Sequence, residues 1–211
     1  MITESFKEAF VEAGGLRIAY VDGGSGPPIV YLHGDSGLPL SPAHELLAQN
    51  FRIIAFEIPK DRRSASDDDI ARSMNAAVTA LGIEKYNVMG DSSGSKIVLW
   101  MAILRPESVE AIVLSAPASL EPDASLEKRL GELPQPVLVL FGTDDNVVPP
   151  EVARRYRELV QSCHIMFVYG AAQEIDADRP DAFASVVGDF LTRKEQFVVR
   201  ETSALVHPER S

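Results

Sequence analysis

Residues 89 to 95 read MGDSSGS, which sets Ser92 between Gly90 and Gly94 in a G-x-S-x-G spacing. YNVMG ahead of it reads as a strand, and SGSKIVLWMAILRP behind it reads as a helix ending near Pro106. A strand that turns at once into a helix needs small residues where the two backbones cross. It also forces the central serine into a strained conformation that projects its hydroxyl above the sheet. A hydroxyl presented this way can attack a carbonyl carbon, provided a neighbouring base takes its proton.

The flanking elements supply that context. GLRIAYVDGGSGPPIVYL reads as two strands joined by a turn between Asp22 and Pro28, and the second runs into HGDSG. PAHELLAQN is expected to form a short helix starting at Pro42, on which His44 is a surface or half-buried position. FRIIAFEI is an uninterrupted apolar run of strand length, the pattern of a strand covered on both faces in a parallel sheet. SASDDDIARSMNAAVTALG begins with capping and acidic residues and places Ile70, Met74, Ala77, Val78 and Leu81 at helical spacing before Gly82.

VEAIVLSAP, PVLVLFG and HIMFVYG continue as strands, and PPEVARRYRELVQSC and RPDAFASVVGDFLTRK as helices. Residues 118 to 136, with Pro122, Pro134 and Pro136, read as a linker with a short helix around SLEKRLGEL. Strands alternating with helices specify an α/β fold with a mostly parallel sheet and helices on both faces. No repeat or composition shift divides the chain, so residues 1–211 are expected to form a single domain.

At 211 residues, 45% of them hydrophobic, the chain can bury a substantial core. Its 20 Lys+Arg against 31 Asp+Glu leave a net charge of -11, which disfavours nucleic acid or an anionic membrane as partner. MITESFKEAF lacks a basic start followed by an apolar run, so a cytoplasmic location is expected. Cys163 has no companion for a disulfide or a metal site, the four histidines are dispersed, and DDD at 67 to 69 has helix-start spacing. No metal or other cofactor is therefore expected. GGSG precedes its strand rather than following it, so it does not read as a dinucleotide loop.

In order along the chain, YLHGDSG, MGDSSG, FGTDDNVVP and YGAAQEIDADRPDAFASVVGDFL resemble segments of the α/β-hydrolase superfamily, in its small Ser/His/Asp branch. The resemblance runs from about residue 15 to 192. It implies an α/β-hydrolase fold and a nucleophile at Ser92, with His33, Gly34, Gly90, Asp91 and Gly94 forming the pocket and elbow. The backbone N–H groups of Ser93 and of Asp35, which follows His33-Gly34, would form the oxyanion hole. Asp145 falls at the acid position, with Asp144 as the adjacent alternative.

Gln173 stands where the family carries its histidine. An amide cannot accept a proton from serine and return it near neutral pH. Among the histidines, His33 falls in a loop that is usually structural, His164 is expected at the far end of its strand, and His207 lies in a tail without clear period. Asp35, Asp91 and Glu174 could crowd the pocket as carboxylates. The connection after VEAIVLSAP is too short for more than a minimal cap. Lys60, Arg62 and Arg63 read as a solvated loop.

The resemblance therefore implies a serine hydrolase acting on a small-molecule acyl or ester substrate, weak or atypical for want of its histidine. A catalytically silent module that binds a ligand or a protein is the alternative. Oligomeric state is left open, a homo-oligomer included.

Overall fold

The computed structural model describes residues 6–33, 40–58, 65–120 and 123–197. Eight strands form one sheet in the order β1-β2-β4-β3-β5-β6-β7-β8. They are β1 (Phe6–Ala13), β2 (Leu16–Gly24), β3 (Pro28–Leu32), β4 (Arg52–Phe56), β5 (Tyr86–Asp91), β6 (Val109–Ser115), β7 (Val137–Gly142) and β8 (Cys163–Val168). The pairs β1–β2 and β2–β4 are antiparallel, and β3–β4, β3–β5 and the steps onward to β8 are parallel. The α/β-hydrolase fold expected from the sequence is the fold observed.

Seven helices connect the strands among the described residues: α1 (Pro42–Leu47), α2 (Asp67–Ala80), α3 (Gly94–Leu104), α4 (Ala124–Arg129), α5 (Pro150–Leu159), α6 (Ile175–Asp178) and α7 (Pro180–Arg193). Period-2 alternation along the central strands splits the core in two. Val30, Leu32, Ile54 and Phe56 join α2 and α3 on one face. Ile29, Tyr31, Ile53 and Ala55 join α1 and α7 on the other. The strands are covered on both sides, which is why FRIIAFEI carries no polar alternation.

Local chemistry sets the helix ends. Asp67, Asp68 and Asp69 occupy the first turn of α2, where they complement the helix dipole, and Ser66 Oγ donates to Asp69 Oδ2 at 2.8 Å. Asp123 caps α4 by accepting from the backbone N–H of Ser125 (3.1 Å) and Leu126 (3.0 Å). Trp100 Nε1 also donates to Asp123 Oδ2 at 3.3 Å, tying α4 to α3. Leu120, Leu126, Leu130 and Leu133 are buried against the α3 face, so the connection expected to be a linker with a short helix packs down onto the core.

Three features depart from the sequence reading. β1 was not anticipated: only Phe6, Val11 and Ala13 of its eight residues are buried, too sparse an alternation to stand out. The short helix α6 forms ahead of α7, in a stretch to which the sequence assigned no helix. His44 is the sharpest departure, because it is 1% exposed rather than on the surface. α1 packs between α6 and α7 and turns that side of the helix inward. The C-terminal tail with His207, and the loop carrying Lys60, Arg62 and Arg63, lie outside the described residues.

Candidate active site

The site lies beyond the carboxyl ends of the strands, where open α/β sheets place their ligands. Ser92 follows β5 with φ +45°, a left-handed backbone that a non-glycine residue adopts at a cost of about 1–2 kcal/mol. The turn is pinned on both sides: Ser92 N donates to Ser115 O at 3.2 Å, and Ala118 N donates to Ser92 O at 3.1 Å. Ala116, at φ +39°, is strained in the same sense next to it.

Gly90 has a steric reason to be glycine. A Cβ there would lie 2.8 Å from both Gly94 O and Val98 Cγ2, where α3 crosses under the end of β5. Gly94 is the first residue of α3 and Ser93 is its N-cap residue. Gly90 thus allows the close approach of α3 that raises Ser92 above the sheet.

Ser92 opens onto a cavity of about 380 Å³, within the range of small-molecule sites. Ala116, His33, Tyr31 and Asp91 line it on the strand side, and Ser41, Gln173, Glu174 and Asp176 line it on the helix side. The structure therefore brings Ser92, Asp91, His33 and Gln173 to one space. Gly34 and Asp35 lie outside the described residues. No described residue of the β6–β7 connection beyond Ala116 lines the cavity.

Asp145 is not among the cavity-lining residues, but its loop abuts the loop of Gln173. Asp145 Oδ1 accepts from the backbone N–H of Val147 (2.7 Å) and Val148 (3.0 Å), which fixes the carboxylate. Its Oδ2 is buried with no hydrogen-bond partner among the described residues. Asp144 is exposed and accepts from Thr143 Oγ1 at 3.0 Å. The loops interlock: Asp144 N donates to Ala171 O at 2.9 Å, and Gly170 N donates to Thr143 Oγ1 at 2.9 Å. A Cβ on Gly142 would come within 2.2 Å of Ala171 O.

Asp91 faces the cavity. Tyr31 Oη donates to Asp91 Oδ2 at 2.7 Å, and the same oxygen lies 3.7 Å from His33 Nε2. Strand register produces this grouping. Tyr31 pairs with Met89 and Leu32 with Gly90, so the next step along parallel strands sets His33 beside Asp91. Burial, and then the Asp91 charge, hold the Tyr31 phenol well above its usual range, so it serves as a hydrogen-bond donor.

Behind this wall, His44 Nδ1 accepts from Ser41 N at 3.1 Å, which places the ring proton on Nε2. The ring lies 4.4 Å from that of Tyr31 and 3.7 Å from Asp176. Burial pushes its pKa down to about 4 against the opposing pull of Asp176. Tyr31, Ser41, Asp176 and Ala116 were not anticipated as walls of the site. Tyr31 carried a usable signal, standing two residues before His33 on the same strand face.

Among the described residues no group of three or more His, Cys, Asp or Glu side chains could hold a metal ion, and no helix is long and apolar enough to cross a membrane.

A parallel sheet carrying a strained serine between strand and helix defines a hydrolase-type α/β architecture, and the comparisons agree. The family model described as alpha/beta hydrolase fold matches residues 27–130. Over that stretch the sequence matches the family model, and the described sheet and helices carry the α/β-hydrolase fold. It is 21% identical over 268 aligned residues to 2-hydroxy-6-oxo-6-(2'-aminophenyl)hexa-2,4-dienoic acid hydrolase of Metapseudomonas resinovorans, covering 90% of this chain and 92% of the relative. It is 29% identical to 2-hydroxymuconate semialdehyde hydrolase of Pseudomonas sp. strain CF600, over 71% of this chain, and spans 60% of that relative's length. Among solved structures it is similar to naproxen esterase of Bacillus subtilis, with a TM-score of 0.76 at 17% identity over 88% of this chain and 91% of that one.

Proposed function

We propose that this protein is a small-molecule serine hydrolase of esterase type, with Ser92 as its nucleophile. The observation that carries the reading is the left-handed backbone of Ser92 at the mouth of a cavity, held by its hydrogen bonds to Ser115 and Ala118 where Gly90 lets α3 approach. Strain of this kind persists only where the surrounding structure over-determines it, and it concentrates at functional sites. That the relatives named above are hydrolases supports the same reading.

In this mechanism Ser92 Oγ attacks the carbonyl carbon, and the electron pair of the C=O bond moves onto oxygen. The backbone N–H of Ser93 meets the developing negative charge, with Asp35 N–H as the second donor that the family resemblance assigns. Collapse expels the alcohol and leaves an acyl-serine, which water hydrolyses. Asp145 is the acid of this assignment. Gln173 at the histidine position can orient a water or a hydroxyl but cannot shuttle the proton, so turnover is slow.

The cavity walls also select by charge. Asp91, Glu174 and Asp176 line it, and no lysine or arginine does so among the described residues. The substrate is accordingly a neutral or cationic ester, and a carboxylate-bearing substrate is repelled.

A fluorophosphonate probe should label the protein at Ser92 and fail on Ser92→Ala, which should also lose turnover of short p-nitrophenyl esters. Wild-type protein that resists labelling while a control hydrolase reacts, or turnover that survives in Ser92→Ala, overturns the assignment. The unpartnered Asp145 Oδ2 beside a histidine position filled by glutamine favours a second reading, a silent hydrolase fold that retains the pocket for binding. That reading predicts ligand binding without turnover in the same experiment.

A further inference from the structure

We infer that His33, positioned by Asp91, is the general base that serves Ser92 in place of the histidine absent at position 173. The inference rests on the serine-hydrolase reading of Ser92 and adds the proton acceptor that this reading lacks.

Of the described histidines, only His33 lines the cavity onto which Ser92 opens. His44 is buried behind Tyr31 and is engaged through Nδ1 with Ser41. His164 lies at the opposite end of the sheet, edge-on to Phe190 and Phe197. His33 keeps 27% of its side chain accessible, while Asp91 beside it keeps 16%.

An imidazole acts as a base when a carboxylate stabilises the cation it becomes. Asp91 Oδ2 stands 3.7 Å from His33 Nε2, close enough for direct Coulombic support in a partly desolvated site. The carboxylate is itself fixed by the Tyr31 phenol at 2.7 Å. His33 at the end of β3 thus shares one cavity wall with Asp91 and Ser92 at the end of β5. Asp91 is the positioning residue and acts through His33.

The proton balance closes without a further reactant. His33 takes the Ser92 Oγ proton as the Oγ–C bond forms, and returns it to the alkoxide oxygen as the C–O bond to the leaving group breaks. It then takes a proton from the attacking water and returns it to Ser92 Oγ when the acyl–serine bond breaks. The net change is ester plus water to acid plus alcohol. Among the described residues, the charged and titratable groups around His33 are Asp91, Tyr31, Glu174 and Asp176 in the cavity wall, with His44 behind it.

The test measures fluorophosphonate labelling of Ser92 and hydrolysis of p-nitrophenyl acetate across pH in wild type, His33→Gln, His33→Ala and Asp91→Asn. His33→Gln should lower the labelling rate and kcat by about 10²-fold with KM little changed. Free imidazole should restore part of the activity of His33→Ala but not of Ser92→Ala. Asp91→Asn should lower kcat with KM little changed, since the imidazolium loses its counter-charge.

Labelling of Ser92 at an unchanged rate in His33→Gln overturns the role of His33 and leaves Ser92 as nucleophile. Absence of labelling in wild type overturns the Ser92 reading itself, and the base with it. Should the His33 variants lose their cooperative thermal transition, Asp91→Asn decides: a fall in kcat with KM little changed supports the proposal and an unchanged kcat overturns it.

Discussion

His44 Nδ1 lies 3.7 Å from Asp176 Oδ2, and the ring between α1 and α6 is held neutral in spite of that carboxylate. Desolvation outweighs the attraction, and the Ser41 N–H already occupies the Nδ1 lone pair. Protonation of the folded protein therefore means giving up that hydrogen bond inside the core.

The folded pKa of about 4 lies below the ordinary value near 6.5, so the unfolded chain binds this proton more readily. The stabilising contribution is complete above about pH 6.5 and is lost as pH falls toward 4; below that, this group adds no further loss. Urea denaturation between pH 7 and pH 4 should show that decline in wild type and a flatter profile in His44→Gln. Parallel profiles would remove His44 as the cause.

Gln173→His places an imidazole beside the Asp145 loop, where Oδ2 is buried and unpartnered. General acid–base catalysis of this kind is worth about 10²-fold or more, and kcat/KM for p-nitrophenyl acetate should rise accordingly. The gain should vanish in Gln173→His/Asp145→Asn. A gain that survives loss of the carboxylate would assign it to something other than this acid.

How much of this was legible from sequence depended on whether the information was local. The elbow was, because Gly90 is demanded by atoms of Gly94 and Val98 within the same strand–turn–helix unit. The parallel central strands were as well, since burial on both faces removes alternation from FRIIAFEI. The His33–Asp91 grouping was not: it depends on which residue of β3 stands opposite which residue of β5, and no single segment encodes that register. Nor was the burial of His44, which is decided by the packing of α6 and α7 more than a hundred residues later in the chain.

Ser92→Gly should be more stable than Ser92→Ala, although both lose the nucleophile. Glycine relieves the φ of +45°, and alanine does not. A difference of about 1 kcal/mol corresponds to about 2–4 °C in Tm for a chain of this size. Equal melting temperatures would mean that the turn carries no strain. Gly90→Ala should act in the opposite direction, costing about 1–3 kcal/mol as its Cβ meets Gly94 O and Val98 Cγ2.

Substrate charge should register in the salt dependence of kcat/KM. For a carboxylate-bearing ester the value should start low and climb with added salt, as Asp91, Glu174 and Asp176 are screened; for a trimethylammonium ester it should fall. Glu174→Gln should narrow the difference between the two. Identical slopes would show that these carboxylates do not act on the bound substrate.

The interlocking of the Gly142 turn with the carbonyls of Ala171 and Ala172 bears on heredity as well as geometry. It holds the stretch leading to position 173 against the Asp145 loop whatever side chain that position carries. Glutamine and histidine codons differ only in their third base. Under the assignment proposed for Asp145, the distance between a slow site and a conventional one is a single nucleotide, with no rearrangement of backbone required to cross it.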